Sequence, residues 1–528
     1  MKIVLCLSGG GFRASLFHLG VLKAIRELDR LRDIVMISAA SGGSVTAAAF
    51  QQCIDTRKKI NASGMKYLER TWRFDEFEAR LLQVTKAGAL SAYTRSVALI
   101  LCFWSAIIAV LLLLVARLAP VVDYLPDWLS AGLAGIAIAA TGAGILIYMF
   151  LLPSAYRYAT ARRDLARRVK KYGIADPFGT LRSPFAQAIT YPWMPRTMRC
   201  ATLDDKLYKH EMLGVLDQWP LMCLAAVELN RGREMIFSQR VLSELGPIGS
   251  VALWEHAARH GESNLWALEN FGYPFRFSYD ASTLPIAEAV AASSAYPPFF
   301  PPVRVRNNRD ANALIGDFID GGVLDNAAVN APLEMLLHLA KERGRYADPL
   351  RAHVSFEELA SDLLVANAGA VTFSQPEAWS LFGGLRRTVD ILAGHQETLV
   401  DVTLGLVRRL GNPNVRAISH RAGFPVGSVF ESEGLRQAIS RIRTHFDAFD
   451  SVETATLVYL GYIWTREVLE APTTAAKSFE TICKEVTGSD EVSRMTPQAL
   501  ERHLTFSSKR MAVSRALGRW IANWMTFA

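Results

Sequence analysis

Apolar positions at the start of the chain fall into two short rhythms. Lys2 to Leu7 is a brief apolar run carrying Ile3 and Val4, and Gly9, Gly10 and Gly11 follow it closely. A short apolar run bounded by turn residues predicts an inner strand of a parallel sheet. From Ala14 to Leu28 the period changes: Leu16, Leu19, Val21, Leu22, Ile25 and Leu28 lie at helical spacing. The same sequence of elements then recurs. Ile34 to Ser38 predicts a second strand, and Ser41-Gly42-Gly43 leads into a helix of small residues. Two strand–turn–helix units in succession predict an α/β fold.

The pattern then changes scale. Ser96 to Leu118 is apolar and uncharged until Arg117, and Leu129 to Leu152 has no charge at all. Each is long enough to cross a hydrocarbon core of ~30 Å, so residues 96–152 are expected to form a transmembrane helical hairpin. Its connector holds Asp123 and Asp127 but no Lys or Arg, whereas Arg157, Arg162, Arg163, Arg167, Arg168, Lys170 and Lys171 follow the second run. The positive-inside rule puts both flanks in the cytoplasm and the acidic turn outside. A buried hairpin in a large soluble core is the competing reading.

Composition agrees with a membrane location: 51% of the 528 residues are hydrophobic and mean hydropathy is +0.16. The net charge of +8 matters mostly for where it sits, in the flank after the second run, where it either signals topology or attracts anionic headgroups. Six scattered cysteines without a CxxC pair argue against a disulfide framework or zinc site. The apolar run before the first glycines is too short for a cleavable signal peptide. No repeat or low-complexity tract is visible.

The glycines pose a chemical question. A glycine-rich strand-to-helix turn exposes backbone N–H groups where an anion or developing negative charge can sit. Gly9, Gly11 and Ala14 satisfy G-x-G-x-x-A, yet a dinucleotide site needs an acidic residue at the end of the next strand. That strand runs instead into Ser38-Ala39-Ala40. A purely structural turn is the second alternative. The stretch Ala39-Ala40-Ser41-Gly42-Gly43 favours a third: a serine at a sharp corner among tiny neighbours has nucleophile-elbow geometry. The anion is then a transition-state oxyanion. A carboxylate to serve the hydroxyl stands at Asp320, followed by Gly321 and Gly322 after a short apolar run. His18, His353, His395 and His420 lie in unremarkable contexts and read as structural.

SGGGFRA, SAASGGS, AVAASSAYPPFFPPV (289–303) and DGGVLDNAAVNAP, in that order, resemble the patatin-like phospholipase family. Cys223 to Phe237 is similar to the family's central strand pair, and Arg441 to Tyr462 to C-terminal helices of some bacterial members. The resemblance covers roughly residues 1–95 and 172–410. It implies a three-layer α/β/α hydrolase with a Ser–Asp dyad and neither metal nor cofactor. By motif, Ser41 is the nucleophile and Asp320 the general base. The amides of Gly9, Gly10 and Gly11, with Phe12 and Arg13 beside them and Gly42 behind the serine, make the oxyanion hole; Gly43, Gly321 and Gly322 support the motifs. Ala39 and Ala14 stand where the family often has glycine.

The expected organisation is a hydrolase in two parts, 1–95 and 153–410, interrupted by the hairpin at 96–152 and followed by a helical C-terminal region, 411–528. The boundary rests on Pro/Gly punctuation at Gly411–Pro413 and Gly423–Gly427. Leu381 to Leu410 is amphipathic, and the chain closes on a basic stretch with Trp520, Trp524 and Phe527; for both, a packed core face competes with a place at the bilayer surface. The leading expectation is a membrane-anchored phospholipase A-type acyl hydrolase of a bacterial inner membrane, with the catalytic domain and both termini cytoplasmic. Its partners are membrane phospholipid and the bilayer, not nucleic acid; oligomeric state is not readable. A signal-activated membrane-degrading effector, such as an antiphage lipase, and a non-catalytic lipid-binding protein are the alternatives.

Overall fold

The computed structural model describes residues 2–60, 66–87 and, with short gaps, 207–244, 278–334, 362–369 and 415–507, with a few positions between 398 and 405. The expected hairpin at 96–152 and the basic flank lie outside them, as does residue 520 onward. Among the described residues no helix is long and apolar enough to cross a membrane.

The first expected unit forms as strand β1 (Ile3–Leu7) and helix α1 (Gly11–Glu27), the second as β2 (Ile34–Ala40) and α2 (Gly42–Gln52). A hairpin of β3 (Ile54–Ile60) and β4 (Lys66–Trp72) leads to α3 (Phe74–Ala87). The strand pair at 223–237 becomes β5 (Leu221–Glu228) and β6 (Arg233–Phe237), followed by β7 (Val241–Glu244) and β8 (Ser278–Asp280). Then come α4 (Ile286–Ser293), β9 (Val303–Arg306), β10 (Leu314–Asp320), β11 (Asp362–Asn367) and β12 (Val415–Ser419). Helices α5 (Glu433–Ser440), α6 (Ser451–Val468), α7 (Phe479–Thr487) and α8 (Pro497–Ser507) complete the described chain.

The sheet is mixed with a parallel centre. Its order is β12-β11-β1-β2-β5-β6-β7-β8; β12 to β5 are parallel, and β6, β7 and β8 antiparallel. Parallel strands covered on both faces must be apolar at every position, and β1 shows how this works. Ile3, Leu5 and Leu7 join one buried cluster with residues of α1, α2 and α6; Val4 and Cys6 join a second cluster with Ala327–Val329 and Leu404 on the opposite face.

Two features move the expected boundary near 410. Strand β12, between the two Pro/Gly punctuations, pairs with β11 from Val415 to Ser419, so the sheet continues past 410. Helix α6 also packs directly on α1. A Cβ on Gly20 would lie 2.0 Å from the Val458 carbonyl oxygen, and one on Gly461 2.0 Å from that of Phe17. The two backbones touch only because both positions lack a side chain, and α6 thereby joins α1 over one face of the sheet.

Ion pairs fix the far end of the sheet. Asp362, fully buried at the start of β11, lies 3.2 Å from Arg30 Nη2 and 3.3 Å from Arg416 Nε. On the helical face, Lys23 of α1 bridges Glu78 of α3 (2.8 Å) and Glu485 of α7 (3.0 Å).

Candidate active site

Ser41 occupies the corner between β2 and α2 with φ 51° and ψ −115°. Positive φ is unfavourable for a residue with a side chain, at a cost of about 1–3 kcal/mol, and persists only where the surroundings over-determine it. Here they do. The Ser41 N–H donates to the Ser293 carbonyl (3.1 Å) and lies 3.2 Å from Ser293 Oγ. Behind it, a Cβ on Gly42 would lie 2.0 Å from the Gly11 carbonyl oxygen and one on Gly43 2.1 Å from that of Leu7. Gly43 N–H also donates to the Ser8 carbonyl (3.1 Å). The two glycines after the serine thus let α2 start against the turn that follows β1.

Asp320 reaches the same place from the other direction. The parallel partner β2 runs along one edge of β5 as far as Ala40, opposite Ala225. Antiparallel β10 then takes over that edge, with Asp320 opposite Ala226, while β6 pairs the other edge from Leu224 to Glu228. The ends of β2 and β10 therefore meet tip to tip. One short segment holds both: Ser293 accepts from the Ser41 N–H, and the Ala295 carbonyl accepts from the Asp320 N–H at 3.1 Å. Ser293 Oγ also donates to the Ala225 carbonyl, against which Gly321 packs so closely that a Cβ would lie 2.3 Å away. Asp320 Oδ1 accepts from Gly322 N–H at 2.8 Å.

The glycine turn after β1 stands beside the serine. Gly10 caps α1 at φ 132° and Gly11 follows at φ 57°, both in the region that favours glycine. Gly10, Gly11 and the buried Phe12 begin α1, and Gly42 begins α2, so their N–H groups precede the intrahelical ladder. Two members of the expected oxyanion set do other work. Gly9 N–H donates to the Asn326 carbonyl at 2.8 Å. The Arg13 guanidinium is buried and donates through Nε to the Ala368 carbonyl (2.9 Å) and through Nη1 to that of Ile442 (2.8 Å). Ala14 and Ala39 are fully buried, their methyl groups taken up in the core.

The histidines divide. His353 and His395 lie outside the described residues. His18 is buried with Nε2 donating to the Ala366 carbonyl at 3.1 Å, and burial lowers its pKa to about 3. His420 is also buried and held well below the usual imidazole range, by burial first and then by the nearby Arg13 and Arg421 charges. Both rings stay neutral. Among the described residues no group of His, Cys, Asp or Glu is arranged to hold a metal ion.

His18 has a consequence for stability. Its pKa falls from 6.5 to about 3 on folding, so below pH 6.5 the unfolded chain takes a proton that the native chain refuses. Stability from this group is complete above pH 6.5 and is lost as pH falls toward 3, by up to about 1.4 kcal/mol per pH unit. Urea unfolding at pH 7, 6 and 5 should show a shallower acid decline in His18→Gln than in the wild type.

Sequence reading did not single out Ser293 or Asn326. Ser293 sits inside the quoted stretch 289–303, but only the fold shows that it grips the serine corner. Asn326 likewise sits inside the quoted stretch that begins at Asp320, but only the fold shows that its side chain meets Gly9, Gly322 and Gly369.

A strained serine corner and a buried carboxylate thus lie at the adjoining ends of β2 and β10 in a mixed α/β sheet. The sequence pattern described as patatin-like phospholipase matches residues 5–334, and the chain belongs to that family. No curated protein shows significant similarity to it. Among solved structures, VipD from Legionella pneumophila is similar over 89% of this chain and 66% of its own, at 12% identity and a TM-score of 0.32; this chain thus spans just under two thirds of VipD.

Proposed function

We propose that this protein is a membrane-anchored lipid acyl hydrolase of phospholipase A type, in which Ser41 is the nucleophile and Asp320 its general base. The observation that carries the reading is the segment 293–295, which holds the backbone of Ser41 and of Asp320 at once. Ser41 Oγ attacks the ester carbonyl as Asp320 accepts its proton. The tetrahedral oxyanion is met by N–H groups at the starts of α1 and α2, from Gly10, Gly11 and Gly42; one such donor is typically worth on the order of 10²–10³ in rate. Collapse expels the alcohol, protonated by Asp320, and leaves an acyl-Ser41. Water, activated by the same carboxylate, then releases the fatty acid.

The anchor is inferred from the two apolar runs within 96–152, and the cytoplasmic placement of the hydrolase from the basic flank at 157–171. An ester-cleaving site held at a bilayer meets phospholipid first. In cells expressing the wild type, lipid extracts should gain free fatty acid and lysophospholipid relative to cells expressing Ser41→Ala. Both proteins should stay in the membrane pellet after alkaline extraction. Identical lipid profiles would refute the activity, and recovery in the alkaline supernatant would refute the anchor.

A further inference from the structure

One side chain touches each of the loops that build the site. A Cβ placed on Gly9 would lie 2.3 Å from Asn326 Oδ1; one on Gly322, 2.8 Å from the same oxygen; one on Gly369, 2.1 Å from Asn326 Nδ2. These three glycines come from separate segments: the turn after β1, the turn after Asp320 and the end of β11. Their lack of side chains makes a common space, and the Asn326 amide occupies it. The backbone joins in, since the Asn326 carbonyl accepts the Gly9 N–H at 2.8 Å.

The same points of contact tie Asn326 to the two reacting groups. Ser41 Cβ lies 3.2 Å from the Gly9 Cβ position that Asn326 Oδ1 approaches at 2.3 Å. Asp320 Oδ1 lies 3.1 Å from the Gly322 Cβ position that Asn326 Oδ1 approaches at 2.8 Å, so the two oxygens are within about 6 Å of each other. Asn326 is itself held firmly. Leu324 and Asp325 N–H donate to the Gly321 carbonyl (3.0 and 2.9 Å). The buried Asp325 carboxylate accepts from the Asn330 backbone N–H at 2.6 Å, and the Asp325 carbonyl accepts from the Ala328 N–H at 3.4 Å. That loop carries Ala328 at φ 56°, a conformation that needs such bracing.

We propose that Asn326 is a positioning residue: its amide sets the glycine turn after β1 against Ser41 and Asp320, fixing the oxyanion donors relative to the nucleophile. The proposal rests on the dyad reading given above. Placement errors of about 1 Å in a reacting constellation can cost 10²-fold in rate, so the effect should appear in kcat and not in substrate binding.

The test uses the purified full chain in detergent micelles with a p-nitrophenyl ester, and Ser41→Ala as the reference. Asn326→Ala should lower kcat by about 10²-fold with KM changed less than about twofold. Gly9→Ala, which pushes a methyl into the Asn326 oxygen, should be impaired alone yet cost little when added to Asn326→Ala, because the clash is then gone. That non-additivity is the signature of a shared contact, and the loss in kcat at nearly constant KM separates positioning from a merely structural role. Should Asn326→Ala fail to fold, the isosteric Asn326→Asp serves. Its added negative charge near Asp320 should raise the acid limb of the kcat–pH profile by about one unit. With Ser41→Ala inactive, near wild-type kcat in Asn326→Ala, strictly additive losses with Gly9→Ala or an unmoved acid limb would each overturn the positioning role. Activity retained in Ser41→Ala would overturn the dyad reading and this inference together.

Discussion

Ser41→Ala and Asp320→Asn are each expected to lower ester hydrolysis by about 10⁴-fold, while leaving melting temperature nearly unchanged. The size follows from losing a nucleophile or its base in a unit that acts jointly. Folding should survive because the fold grips these residues mainly by backbone: the Ser41 N–H is held by Ser293 and the Asp320 N–H by Ala295. Removing the Ser41 hydroxyl leaves its strained corner intact. Asn at 320 keeps an oxygen that can still accept from Gly322 N–H, a bond of 2.8 Å in the wild type. The double substitution should be no slower than either single one. Full activity in either variant, measured as fatty-acid release from micelles, would break the dyad.

The largest stability effect is expected at Asp362. Its side chain is fully buried between Arg30 and Arg416, whose side chains are 16% and 21% exposed. Removing one member of a buried ionic group typically costs about 3–5 kcal/mol; Asp362→Ala takes an acceptor from two guanidinium groups at once, of which Arg30 keeps Asp33 at 3.0 Å. Asp362→Asn should be milder, because an amide oxygen can still accept from one of them. Urea titration of both variants gives the comparison, and a loss below about 1 kcal/mol in Asp362→Ala would mean that the arginines find water. The residue opens β11, whose far end leads through Ala368 to Gly369, so partial loosening should also reduce activity before unfolding.

Local rhythm made the two strand–turn–helix units legible, because each is complete within about 20 residues and buries apolar side chains at its own period. The serine corner was legible for the same reason: Ala39 to Gly43 are small because the turn is tight. Asp320 could be named as a carboxylate followed by glycines. Nothing local says that β10 takes over the edge of β5 where β2 leaves it, which is what brings the carboxylate to the serine. Arg13 illustrates the limit: beside the glycines it looks like part of the oxyanion loop, yet its guanidinium is spent on carbonyls at 368 and 442. The domain boundary expected near 410 rested on glycine and proline punctuation, which says nothing of strand pairing, and β12 at Val415–Ser419 still pairs with β11.

The contact of α1 with α6 also bears on the order in which the protein assembles during its synthesis. Arg466 of α6 pairs with Glu27 of α1 across 439 residues of chain, and the Arg13 side chain beside the glycine turn needs the carbonyl of Ile442. A ribosome adding roughly 5–20 residues per second makes α6 about 20–90 s after α1. Throughout that interval the apolar face of α1 lacks its cover, and the turn after β1 lacks one of its fastenings. A nascent chain in that condition is a client for chaperones, and contacts of such long sequence separation slow the final closure further. The turn after β1 therefore gains this fastening only after translation has passed residue 442.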